Sequence, residues 1–199
     1  MNIMFDLDST LVNNSVVIDA ITEMLQYPDA YDLIHNLNDT GDLIPRQIKE
    51  VIHERMTDGL LMTSLKPNTY AQMVVRDIAA QGHNIYVITA RGTHDGEVKA
   101  TTPEYVQDLF PQVKGIALTG HDKLKAIEQL DIDIVIDDNT LVIDSILDSL
   151  SVNPLCILLS NENTPWNWNY VANTNNDIVV VRSLIDVPFL IEEFGMSNI

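Results

Sequence analysis

The chain has 199 residues, 46% of them hydrophobic, and a formal net charge of −18 from 29 acids against 11 bases. Such a chain is long and apolar enough for one well-packed domain with a small insert, which excludes a disordered polymer. The acid excess excludes a broad phosphate-tracking surface, because extended nucleic-acid binding gathers Lys and Arg, so any anionic substrate must be captured by a few placed cations.

In chain order, Ile3-Met4-Phe5 forms a short apolar strand that runs into Asp6-Leu7-Asp8-Ser9-Thr10. Residues 13–65 contain no clear strand, and helix-like pieces over 16–25 and 45–61 make this stretch a helical insert. Placed directly after the first strand, the insert lies beside the carboxyl ends of the sheet, where open α/β folds bind ligands, and reads as a lid or cap. Tyr70, Met73, Val74 and Ile78 fall on one face of a helix opened by Pro67 and stopped by Gly82. Strands follow over 84–89, 115–119, 132–137, 155–160 and 178–181, and Leu184, Ile185, Phe189 and Ile191 indicate a closing helix.

Strands alternating with helices predict an α/β architecture with a doubly wound parallel sheet. Its core is built from 1–12 and 66–199, with the helical cap at 13–65. Cys156, the one cysteine, lies inside an apolar run and reads as a core thiol, so no disulfide framework is available. No uninterrupted apolar stretch is long enough to span a bilayer, and the first apolar residues already belong to a strand. A soluble protein of a reducing cytoplasm, with no membrane partner, is the expectation; a homo-oligomer is compatible with the sequence.

The chemistry sits where apolar runs end in acid: Asp6 and Asp8 early, Asp137 and Asp138 after Ile134-Val135-Ile136. Carboxylates repel one another and are costly to collect unless a cation neutralises them; hard oxygen ligands of this kind suit Mg²⁺. In order, Asp6-Leu7-Asp8-Ser9-Thr10, Ile88-Thr89-Ala90-Arg91, Lys123 and Asp137-Asp138 resemble the four motifs of the haloacid dehalogenase (HAD) superfamily of phosphatases. The phrase Leu118-Thr119-Gly120-His121-Asp122-Lys123 followed by the late Ile-Asp-Asp is similar to its 5'(3')-deoxyribonucleotidase branch.

The resemblance implies a HAD-like, Rossmann-type core and a phosphatase in which Asp6 is the nucleophile. An aspartyl-phosphate then divides one difficult hydrolysis into two displacements. Asp8 lies two residues on and faces the same pocket, because strand side chains repeat with period two. In the family that residue protonates the leaving oxygen and later activates water, while its backbone carbonyl ligates Mg²⁺. The implied metal set is Asp6, Asp8, Asp137 and Asp138, with family precedent favouring Asp138 as the direct ligand of the late pair.

Thr89 would donate its hydroxyl to a phosphoryl oxygen, with backbone N–H groups of the following turn at Ala90 and Arg91 adding donors. Lys123 would supply the remaining positive charge. Its rival Lys125 is separated by helix geometry: Lys123 borders the face of Leu124, Ile127 and Leu130, whereas Lys125 shares its side with Glu128 and Gln129.

Each assignment has a plainer rival. Thr89 could be a helix N-cap, and Lys123 a solvated surface residue. Arg91 either assists phosphate binding or pairs with acids near the rim. Ser9, where many relatives have Gly, either donates to phosphate or serves a turn. Asp131 and Asp133 mark a solvated strand entry rather than further ligands. The histidines lack the paired spacing of a zinc site. Trp166, Trp168, Tyr170, Tyr27 or Tyr31 could stack a nucleobase or simply anchor loops.

The resulting expectation is a Mg²⁺-dependent phosphomonoesterase acting on a small phosphorylated metabolite, a (deoxy)nucleoside monophosphate first among them. The rivals are a polynucleotide-end phosphatase and a non-catalytic binding protein of the same fold.

Overall fold

The computed structural model describes residues 1–15, 46–93, 96–120, 122–149, 151, 153–161, 164, 167 and 178–197. The first apolar run is strand β1 (Asn2–Phe5), and β2 (Val12–Asn13) follows it. Helices α1 (Arg46–Thr57) and α2 (Gly59–Thr63) lead into β3 (Lys66–Pro67), which pairs antiparallel with β2. This two-stranded ribbon pairs Val12 with Pro67 and Asn13 with Lys66. Pro67, expected to open a helix, is instead a ribbon residue opposite Val12. The helical piece expected over 16–25 lies outside the described residues.

From there strands and helices alternate: α3 (Ala71–Ala80), β4 (Asn84–Thr89), a 3-10 turn (Ala90–Thr93), α4 (Glu97–Leu109), β5 (Val113–Leu118), α5 (Leu124–Gln129), β6 (Ile134–Asp137), α6 (Thr140–Leu147), β7 (Leu155–Leu159), β8 (Val179–Val181), and α7 (Val187–Ser197). Among the described residues these strands form a six-stranded sheet, ordered β5-β4-β1-β6-β7-β8, with every neighbouring pair parallel. The chain winds outward from β1 through β4 to β5, then returns across β1 to β6 and winds outward the other way. β1 and β6 therefore flank the crevice at which the winding reverses.

Period two along each strand divides the core into two layers. Ile3, Phe5, Ile134, Ile136, Ile157 and Leu159 pack with Val74, Ile78, Val106, Val187 and Ile191, under α3, α4 and α7. Met4, Val135, Cys156 and Leu158 face the other way, against Ile127, Val142, Ile143 and Ile146 of α5 and α6. Both faces are covered, which is why the strands read as nearly continuous apolar runs.

Two helix faces differ from their sequence pattern. Tyr70 stands before α3 in a left-handed conformation (φ 69°) and is exposed, so the buried stripe is Ala71, Val74, Val75 and Ile78. Leu184 and Ile185, expected in the closing helix, lie in a 3-10 turn (Leu184–Asp186) just before α7; Ile185 and Phe189 are exposed, whereas Leu184, Val187 and Ile191 are buried. No helix among the described residues is long and apolar enough to cross a membrane.

Candidate active site

Asp6 directly follows β1, and its backbone N–H donates to the Ile136 carbonyl at 2.9 Å, carrying the β1–β6 pairing one residue past the strand. In phase with Met4 and Val135, Asp6 and Asp137 face the α5 side at the carboxyl edge of the sheet. There the amino end of α5 presents Lys123. Its Nζ donates to Asp6 Oδ1 at 2.5 Å and to Asp137 Oδ2 at 2.7 Å, and all three residues are buried. Lys125, two residues on, is exposed.

Asp137 Oδ1 accepts from the Asn139 backbone N–H at 2.8 Å, so both of its oxygens are engaged. Asp138 Oδ1 accepts from the Thr10 hydroxyl at 3.1 Å. Asp6, Asp137 and Asp138 each offer a carboxylate oxygen within 4.8 Å of the others, an arrangement able to hold a metal ion. With one ammonium against three carboxylates, full ionisation leaves two negative charges in a buried pocket.

The electrostatic consequence follows from burial. Lost hydration pushes Asp6 up to about 7; Lys123 counters this while Asp137 and Asp8 add to it. Burial also raises Asp138, with the charges of Asp6 and Asp137 acting in the same direction. For Lys123 burial would lower the pKa, but the two carboxylates it touches outweigh that and hold it charged.

Asp8 stands apart from this cluster. Its carboxylate is gripped by Arg91, with Nε donating to Oδ2 at 2.8 Å and Nη2 to Oδ1 at 2.6 Å. Arg91 is buried, and its guanidinium lies 5.4 Å from the centroid of the Tyr105 ring. Thr89, buried at the tip of β4, accepts a 3.4 Å bond from the Arg91 backbone N–H.

No family model matches the chain. Solved structures resemble it over nearly its whole length: a predicted phosphatase from Clostridium acetobutylicum superposes with a TM-score of 0.67 at 15% identity, covering 96% of this chain and 98% of that one. A HAD-superfamily hydrolase from Ehrlichia chaffeensis gives 0.57 at 13% identity, covering 96% of each chain. L-2-haloacid dehalogenase from Xanthobacter autotrophicus gives 0.57 at 11% identity, covering 96% of this chain and 98% of that one. The fold is that of the HAD superfamily. A Bacillus cereus protein named "Putative nucleotidase" is 24% identical over 151 residues, covering 72% of this chain and 79% of its own.

On this HAD fold the residues singled out in the sequence divide into two groups. Asp6, Asp137, Asp138 and Lys123 converge, whereas the carboxylate of Asp8 turns to Arg91. Arg91 thereby shows the pairing with an acid that was one of its two expected roles. Ser9 is buried with φ 64°, a left-handed conformation that favours glycine, and its hydroxyl donates to Asn14 Oδ1 at 2.7 Å, a local turn contact. Ala90 lies in the 3-10 turn beyond Thr89. Asp133 accepts from the Asn2 backbone N–H at 2.7 Å, at the amino end of the strands and so opposite the cluster. His121, Tyr27, Tyr31, Trp166, Trp168 and Tyr170 lie outside the described residues.

Three supporting residues were not among the candidates read from the sequence. Asn68 donates its amide to the Ser9 and Thr10 carbonyls at 2.9 and 2.8 Å, tying the segment after β3 to the Asp6–Thr10 loop. Asn167 donates to the Asp138 carbonyl at 2.7 Å and to Leu159 O at 3.0 Å. Gly92 packs where a Cβ would lie 2.5 Å from the Leu118 carbonyl carbon and the Thr119 oxygen, so the turn holding Thr89 and Arg91 is pressed against the end of β5. The "Thr-x-Arg-Gly" spelling was the available hint for Gly92; nothing local marks the two asparagines.

Proposed function

We propose that the chain is a HAD-type, Mg²⁺-dependent phosphomonoesterase that hydrolyses a small phosphorylated metabolite, with a (deoxy)nucleoside monophosphate the leading substrate. The carrying observation is that Asp6 and Asp137-Asp138, over a hundred residues apart in sequence, share one buried anionic cluster with Lys123 at the sheet's switch point. The phosphatase-named structural neighbours support the reaction class, and the Bacillus cereus relative's name supports the nucleotide.

The donor set fits a hard dication. All three ligand candidates are carboxylate oxygens, and the two uncompensated negative charges match one Mg²⁺. Asp6 and Asp138 would hold it directly, since Asp137 is already engaged through both oxygens; the family's backbone contribution from Asp8 completes the protein set. When bound, the ion offsets the charge of the acids and of the incoming phosphate.

The chain's own residues account for the remaining steps. An oxygen of Asp6 forms a bond to phosphorus while the ester P–O bond breaks and its electron pair leaves on the ester oxygen. Asp8 gives that oxygen its proton, so the alcohol departs neutral. In the second displacement Asp8 takes a proton from water as the water oxygen attacks phosphorus, releasing inorganic phosphate and the free Asp6 carboxylate. Lys123 orients Asp6, and Thr89 offers its hydroxyl to a phosphoryl oxygen. The insert at 13–65, entered and left through the β2–β3 ribbon, serves as the cap that selects small substrates and excludes water.

The test is phosphate release from p-nitrophenyl phosphate and a panel of nucleotides, sugar phosphates and phosphorylated oligonucleotide ends, with Mg²⁺ and with chelator. Turnover of mononucleotides with Mg²⁺ is expected. Asp6→Asn should lower it by on the order of 10³-fold or more while leaving the melting temperature at or above that of the parent. Near-normal turnover by that variant would remove Asp6 as nucleophile, and inactivity across the panel would favour a binding protein.

A further inference from the structure

Asp8 needs an accurate position if it is to protonate a leaving group, yet it lies past the end of β1 and its side chain is still partly exposed. We propose that Arg91 is the positioning residue for Asp8, holding the carboxylate by a two-pronged grip rather than binding the substrate phosphate; this rests on the phosphatase reading above.

Two parallel N–H···O bonds, at 2.8 and 2.6 Å, set both the place and the plane of the carboxylate. A lysine at the same site would act as a point charge and leave the plane free. The grip is useful only if the guanidinium is itself immobile, and two contacts make it so. Its third nitrogen, Nη1, donates to Thr102 Oγ1 at 3.4 Å. That hydroxyl has spent its hydrogen on the Val98 carbonyl at 2.6 Å and therefore presents lone pairs to Arg91. The Tyr105 ring lies beneath the guanidinium, a cation–π contact strengthened by exclusion of water.

Arg91's backbone is held as well, because Gly92 lies hard against Leu118 and Thr119. Tyr105 in turn donates its phenol to the Leu65 carbonyl at 2.7 Å, one residue before β3. The support of Asp8 therefore runs through the inner face of α4 and reaches the exit of the insert. None of these groups belongs to the anionic cluster, so Asp8 and Asp6, two residues apart on one loop, are oriented by different partners.

A positioning role predicts a loss that depends on how much the leaving group needs a proton. For Arg91→Ala, the pre-steady-state rate of the first displacement, read as the burst of released alcohol, should fall about 10²-fold with phenyl phosphate and less than about 5-fold with 2,4-dinitrophenyl phosphate, whose leaving group departs unprotonated. The Kd of both esters, from the concentration dependence of that rate, should stay within about 3-fold, and added guanidinium ion should restore part of the phenyl phosphate rate. If Arg91→Ala does not fold, Arg91→Lys keeps the buried charge without the fork and should show the same leaving-group contrast. Weakened ester binding with an unchanged first-displacement rate, or equal losses of that rate on the two esters, would assign Arg91 to the phosphate and overturn the positioning role alone. Failure of the parent chain to hydrolyse either ester would overturn the phosphatase reading, and this inference with it.

Discussion

Replacing Lys123 by Met removes the one ammonium from the buried cluster and leaves its carboxylates facing each other. Lys123 touches Asp6 at 2.5 Å and Asp137 at 2.7 Å with all three side chains nearly or fully out of solvent, so solvent screening discounts the pair little. Removing one partner of a buried ion pair costs about 3–5 kcal/mol, because the other charge is left uncompensated. In a domain of this size each kcal/mol moves the melting temperature by about 2–4 °C, so a loss of about 6–20 °C is expected in metal-free protein.

The pH dependence of that loss carries a definite sign. Burial raises Asp6 from 3.8 to about 7, so its neutral form is the one the fold favours. Stability contributed by that proton is present at low pH and is lost as pH rises through the interval, completely above about 7. Lys123 stays charged throughout, since its pKa is held above the ordinary 10.5. Without Lys123 the cost of ionising Asp6 grows, and the variant should lose more at pH 8 than at pH 5.5. Thermal unfolding of parent, Lys123→Met and the exposed control Lys125→Met, all in chelator, reads this directly. The control should lie within about 0.5 kcal/mol of the parent. A Lys123→Met chain that melts within about 2 °C of the parent at pH 8, or loses equally at both pH values, refutes the electrostatic account.

Mg²⁺ should raise the melting temperature, by the equivalent of about 2.7 kcal/mol at a hundredfold excess over its Kd. The rise should be larger at pH 8 than at pH 5.5, because a proton on Asp6 competes with the ion; equal shifts at the two pH values would argue against Asp6 as a ligand. Gly92→Ala places a methyl 2.5 Å from backbone atoms of Leu118 and Thr119, which cannot rotate away. It should cost about 1–3 kcal/mol in a denaturant titration and lower turnover by displacing Thr89 and Arg91; an unchanged midpoint and rate would show that β5 yields at no cost.

Much of this arrangement was readable from local patterns. Apolar runs ending in acid identified β1 and β6, and the alternation of strands with helices implied that both runs point the same way, so their acids had to share one edge. Lys123 was separable from Lys125 because helical periodicity distinguishes an inward from an outward side within a few residues. Less readable were positions whose role depends on a distant segment. Pro67 has the local signature of a helix start, but Val12 recruits it into a ribbon. Tyr70 and Phe189 match apolar periodicity, yet both are exposed.

Arg91 marks the boundary between the two kinds of information. Its residue type and its place after Thr89 limited it to an anion, and period and spacing could go no further. The choice of Asp8, 83 residues away, was made when β4 paired with β1 and α4 laid Thr102 and Tyr105 against the turn. Strand ends and helix faces are set by rotations repeated residue by residue, and so they are written locally. The partner of a buried charge is set by which surfaces are brought together when the sheet and helices assemble, and that is a property of the packed molecule alone.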